Sequence, residues 1–294
     1  MSRFVGTAVP RFVDDWQSFR VTSDAAADVN RGLEAAGVRV PPSGRLNEYI
    51  RQLSLAESRN VGTSQPEYDW QRLHRAVADV GELQLIIDHL SRPPEVSGWQ
   101  SKAYLAMKGS ARPAEDLNNS AAWDHQFELF MAALCRRGGL DIELSEPDIV
   151  VRWPQRTLGI AAKRARSLSN LSKLVARANA QIEKSQHHGV IALDISYLAS
   201  PDDMYFVAGG EPRDQPYVRR LVDSFLDDHH ARMLKQVNRE RTLGVIVYAC
   251  ALAVDYSALR LTVARGSVFG NFCSLRDPRL ALFNDLRSAI SVFV

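Results

Sequence analysis

Four positions in this 294-residue chain could share one piece of chemistry: Glu128, Asp148, position 161 and Lys163. A Mg²⁺ ion that assists phosphodiester hydrolysis needs a few carboxylate oxygens on rigid elements, with coordination positions left for water and the scissile phosphate. A lysine beside such a site can orient the attacking water and offset charge that builds on the phosphoryl group. Asp148 follows Pro147 at the start of one extended segment, and Lys163 lies near the end of the next. Residues two apart on a strand share a face, so residue 161 projects with Lys163 while Ile160 and Ala162 face the other way. An acid is expected at 161; the sequence has Ala161. Each residue also has an ordinary reading. Glu128 could be a solvated helix acid, Asp148 a turn residue and Lys163 an edge-strand lysine; Gln181, a further candidate downstream, could be an exposed helical glutamine.

The elements that must position these residues follow from periodicity. Asn119-Ser120 can cap a helix over 121–137 whose apolar face holds Phe127, Phe130, Met131 and Leu134, with Gly138-Gly139 as its stop. Three short extended segments come next, at 140–144, 148–153 and 158–163, the last two separated by Pro154-Gln155-Arg156. A basic helix over 171–185 and an apolar strand over 189–195 complete an α-β-β-β-α-β order. It is extended by a helix over 217–236 and strands at 243–254 and 259–264. The first 115 residues read instead as amphipathic helices, one from Ser23-Asp24 to Gly37 and one from Pro66 to His89, with loops at Pro41-Pro42-Ser43-Gly44 and around Gly62. The expected fold is α/β: a mixed central sheet flanked by helices over 116–294, with an N-terminal helical region over 1–115.

Pro147-Asp148 followed by Lys163 on this framework resembles the PD-(D/E)XK nuclease superfamily, over roughly residues 120 to 200. The resemblance implies a restriction-endonuclease-like core. It also implies metal binding by Asp148 and by the acid of the (D/E)-x-K element at 161, help from Glu128, a water-serving role for Lys163, and a backbone contact from Gln181. The implied activity is that of an endodeoxyribonuclease using Mg²⁺, or Mn²⁺ in its place. Ala161 departs from the pattern. It is read as a replacement of the acid that stops cleavage and keeps the fold. The alternatives are a naturally degenerate module that binds nucleic acid or assembles with other subunits without cutting, and an acid that has moved to Glu143, Glu146 or Asp124. By family analogy the partners would be DNA and a helicase or other subunit of a prokaryotic antiviral defence or restriction-type system, with a homo-oligomer left open.

Composition limits how DNA could be held. Lys plus Arg number 36 against 34 Asp plus Glu, a formal charge of +2, so the chain is not a polycation that coats nucleic acid. Phosphate contacts must come from a local patch, and Lys163, Arg164, Arg166, Lys173, Arg177 and Lys184 form one. Its ordinary reading is a solvated helix face. The longest apolar run, Leu243 to Val254, is too short to span a bilayer and no secretory signal opens the chain, so a cytoplasmic protein without a membrane role is expected. Cys135, Cys250 and Cys273 lack a C-x-x-C pair and read as reduced core residues. His187-His188 and Asp227-Asp228-His229-His230 lack zinc spacing, and neither a G-x-S-x-G elbow nor a phosphate-binding P-loop occurs.

Overall fold

The computed structural model describes residues 22–57, 70–110, 121–199, 206–208, 215–255, 260–274 and 276–290. The boundary expected at 115–116 and the cap Asn119-Ser120 lie outside them. The first helix, α1 (Ser23–Ala35), is capped by Thr22, whose hydroxyl accepts the Ala25 amide at 3.1 Å. The chain leaves it through Gly37 at φ +80°, a left-handed conformation that suits glycine. Next come α2 (Arg45–Glu57), α3 (Trp70–Leu90) and α4 (Trp99–Met107), and then α5 (Ala121–Arg137), which stops before Gly139 at φ +75°.

The sheet begins with β1 (Asp141–Glu143), β2 (Ile149–Trp153) and β3 (Arg156–Arg164), joined as antiparallel neighbours. After a 3-10 turn at Leu168–Asn170, α6 (Leu171–Ser185) carries the chain to β4 (Gly189–Asp194), which lies parallel to β3. The remaining elements are α7 (Ser196–Ala199), β5 (Phe206–Ala208), α8 (Gln215–Leu234), β6 (Thr242–Asp255), β7 (Arg260–Asn271) and α9 (Leu280–Ile290). β6 runs parallel to β4 along its first half and to β5 at its end, while β7 pairs antiparallel along its other edge. Among the described residues the result is a mixed seven-stranded sheet with helices on both faces.

Side-chain alternation divides the core between these faces. Ile149, Val151, Leu158, Ile160 and Ala162 join one apolar cluster with residues of α1 to α5 and α9. Ala161, Ile191, Leu193, Val245 and Val247 join a second with α6 and α8. The N-terminal helices therefore share a continuous core with one face of the sheet. α5 is buried nearly all round, from Ala122 to Cys135, because α3 and α4 cover the side turned away from the sheet. This differs from the single apolar face expected of it, and it places Glu128 in the interior.

Several elements escape the periodicity argument. α4 starts at Gly98 with no side-chain cap, and α2 begins directly after a Pro- and Gly-rich stretch that reads as loop. α7, β5 and α9 also go beyond the expected order, the first two being only four and three residues long. β7 extends seven residues past the expected end at 264, because Gly266 and Gly270 interrupt its apolar alternation without ending its pairing to β6. Cys135, Cys250 and Cys273 are free thiols, and burial pushes Cys135 up to about 12. Among the described residues no helix is long and apolar enough to cross a membrane.

Candidate active site

The site is assembled where β2 starts and β3 ends. Gly159 on β3 makes room for Pro147: a Cβ at 159 would stand 2.8 Å from the proline Cδ and Cγ, so only glycine lets the ring lie against that strand. The register Ile149 to Ile160 then sets Asp148 opposite Ala161. Lys163 Nζ donates to Asp148 Oδ2 at 2.8 Å, and the Ala162 amide donates to the same oxygen at 2.8 Å. The lysine is further held by the Ala162 carbonyl at 3.0 Å. From α6, Gln181 Nε2 donates to the Pro147 carbonyl at 3.1 Å and to Asp148 Oδ1 at 3.3 Å. Groups from β3 and α6 thus hold Asp148 in a fixed orientation.

Ala161 lies where the alternation argument puts it, on the α6 side of β3 with its neighbours Ile160 and Ala162 on the other. It is fully buried. No carboxylate replaces it at two of the positions considered: Glu143 pairs with Arg152 and Glu146 with Lys184, both on the exposed surface. Asp124, one turn before Glu128, is closer in character. It is half-buried, and burial pushes its carboxyl up against the opposing pull of Arg164, Lys163 and Arg166.

Glu128 is not a solvated acid. Its side chain is 8% exposed, and its Oε2 accepts from Lys102 Nζ at 2.6 Å, with His125 Nδ1 at 3.3 Å. Burial alone would raise its carboxyl, but the His125 and Lys102 contacts outweigh that and hold it below its ordinary value. Asp148 shows the opposite balance. Burial, joined by the neighbouring Glu128 charge, pushes it up to about 6 despite Lys163 and the Ala162 amide. The two carboxylates are therefore in each other's field.

Such a donor set suits a hard divalent cation that keeps most of its waters, since Mg²⁺ is commonly held by one or two carboxylates plus a substrate phosphate. Gln181 Oε1, buried beside Asp148 without a hydrogen-bond partner, adds an acceptor that a metal-bound water could satisfy. With alanine at 161, no group of three or more His, Cys, Asp or Glu able to hold a metal occurs among the described residues. His187 Nδ1 lies 3.0 Å from the Thr157 hydroxyl and His230 Nε2 lies 3.2 Å from the Asn271 carbonyl.

The basic patch divides in two. Lys173, Arg177 and Lys184 are all exposed on α6, at spacings of four and seven that keep them on one side of the helix, with Lys184 paired to Glu146. Arg166 is half-buried beyond the end of β3. Arg164 does not belong to this surface, which corrects its expected phosphate-binding role. It is 6% exposed, donates through Nε to Asp194 Oδ2 at 2.5 Å and has Glu82 Oε2 3.6 Å from Nη2. The cause is the period of the strand, which turns Arg164 toward the rings of Trp123 and Phe127 while Lys163 turns toward Asp148.

Lys102, His125 and Gly159, together with a buried polar cluster behind the site, do not stand out in the sequence as site residues. There Gln126 Nε2 donates to Asp79 at 3.1 Å and to Glu82 at 2.5 Å, and Arg45 donates to Gln126. Polar residues at 79, 82 and 126 in otherwise apolar helical stretches are a visible signal for that cluster. Nothing in the sequence links Lys102 to Glu128. Comparison with protein-family models, with curated proteins and with solved structures gives no match.

Proposed function

We propose that the chain carries the scaffold of a metal-dependent DNA endonuclease resembling the PD-(D/E)XK superfamily, lacking one carboxylate at Ala161. The observation that supports this reading best is the pairing of Lys163 Nζ with Asp148 Oδ2 at 2.8 Å across adjacent strands, with residue 161 opposite Asp148. Asp148 and Glu128 would hold a Mg²⁺ or Mn²⁺ ion, which when bound supplies Lewis-acid stabilisation of the phosphoryl group. Lys163 presents its ammonium to the attacking water and to phosphoryl oxygens, where a fixed positive charge offsets the charge of the transition state. Gln181 keeps the Asp148 loop in place through the Pro147 carbonyl. Lys173, Arg177 and Lys184 offer the DNA backbone a basic stripe on the helix that carries Gln181. Association with a helicase or another defence-system subunit rests on the resemblance alone.

A second reading is favoured by one specific observation: each carboxylate is already matched by an ammonium, Lys163 on Asp148 and Lys102 on Glu128. A noncatalytic module that binds nucleic acid would have such a balanced site. Plasmid cleavage with Mg²⁺ or Mn²⁺ separates the two readings. Ala161→Glu is expected to nick or linearise plasmid at a rate well above the parent chain, and Lys163→Met in the same background to abolish cleavage. An Ala161→Glu protein that folds, binds DNA and leaves the plasmid intact would sink the enzyme reading in favour of the binding module.

A further inference from the structure

Lys102 belongs to α4, outside the α5-to-β4 segment that bears the other site residues, yet its ammonium sits 2.6 Å from Glu128 Oε2. The contact is largely sheltered, with the lysine side chain 25% and the glutamate 8% exposed. His125 Nδ1 lies 3.3 Å from the same oxygen, so Oε2 is engaged twice. Lys163 matches Asp148 in the same way, which leaves these four groups with no net charge when all are ionised. A divalent cation is drawn to a site by excess negative charge, and an ammonium within a few ångströms of its ligand repels it. An ammonium on a flexible four-carbon stem is also able to swing aside, and here the lysine side chain is partly open to solvent.

We infer that Lys102 is a built-in competitor for Glu128, and that the N-terminal helices thereby set the affinity of the site for divalent cations. The inference rests on the proposed metal role of Asp148 and Glu128. A cation that takes Glu128 Oε2 displaces the lysine, which then needs a new anionic partner. A DNA phosphate entering the site is a partner of the right charge. Cation and DNA binding are therefore coupled: each favours release of Lys102 and so strengthens the other.

The test is Mn²⁺ binding to the full chain, followed by the electron paramagnetic resonance of free Mn²⁺, with and without a short DNA duplex. Lys102→Met is expected to bind Mn²⁺ about tenfold or more tightly than the parent without DNA, and to gain less from added duplex. Lys102→Arg, which keeps the charge, should behave as the parent, as should Lys108→Met, just past the end of the same helix. Glu128→Gln added to Lys102→Met should remove the gain. Thermal melts of each variant establish that the proteins compared are folded. Unchanged or weaker Mn²⁺ binding by folded Lys102→Met overturns the competition, and leaves the nuclease reading intact if Ala161→Glu still cuts. Absence of Mn²⁺ binding by both parent and Lys102→Met at millimolar metal, with no cleavage by Ala161→Glu, removes the metal site itself.

Discussion

Asp148 is the residue on which the electrostatics of the site converge. Its carboxyl stands at about 6, raised by burial and by Glu128, against an ordinary value near 4 in an unfolded chain. Between those values the folded protein holds a proton that the unfolded chain has released. The stabilisation from this group is therefore full below about pH 4 and is lost as pH rises through about 6. Asp148→Asn, which is neutral at every pH, should melt at the same or a higher temperature than the parent at pH 8, with any gain gone at pH 4. Melting curves at the two pH values check this, and a loss of stability that is larger at pH 8 would contradict the balance described. The identity of Asp148 and Lys163 as a pair is legible from Pro147-Asp148, the hairpin spacing and a period of two. The heavy burial of Glu128 is not, because it depends on helices that meet α5 only in three dimensions.

At the scale of elements, α6 does two jobs with two faces. Leu171, Val175, Ala178 and Ile182 pack on the sheet, while Lys173, Arg177 and Lys184 point to solvent and Gln181 reaches the Asp148 loop. A helical period of 3.6 makes both faces readable from sequence. If the exposed stripe contacts phosphates, Lys173→Glu with Arg177→Glu should weaken duplex binding regardless of base sequence. It should also reduce the slope of log affinity against log salt by about 2, one for each phosphate no longer neutralised. Fluorescence anisotropy over a salt series measures both, and an unchanged slope would remove α6 from the DNA interface. Strand β3 shows where the same reasoning overreaches. A run of basic residues from Lys163 reads as one patch, but alternation sends Lys163 and Arg164 to opposite sides of the sheet.

Across the whole molecule, Arg164 ties the N-terminal helices to the sheet. Its guanidinium bridges Asp194 of β4 and Glu82 of α3, and Asp194 is also bound by the Ser196 amide and hydroxyl at 2.8 and 2.5 Å. Removing one partner of a buried ion pair leaves an uncompensated charge in the interior, which costs about 3–5 kcal/mol. Arg164→Met should lower unfolding stability by about that amount in urea titrations. A surface phosphate-binding arginine would instead change stability by about 0.5 kcal/mol or less. The core shared by α1 to α5 and the sheet makes the helical region part of the structure that supports the site. This is how a residue as distant as Lys102 comes to touch Glu128.

The sequence by itself determined the local order: helix, hairpin, basic helix and buried strand, with residue 161 and Lys163 on one face of their strand; the strand register that sets Asp148 opposite residue 161 came from the structure. Period, turn residues and strand pairing are local rules, and residues 121 to 195 obey them closely. Only the tertiary structure decided which charges are sheltered, since burial and ion pairing arise where distant segments pack. That packing sheltered Arg164 on the side to which strand alternation turns it, made Glu128 an interior carboxylate and set the ammonium of Lys102 against it.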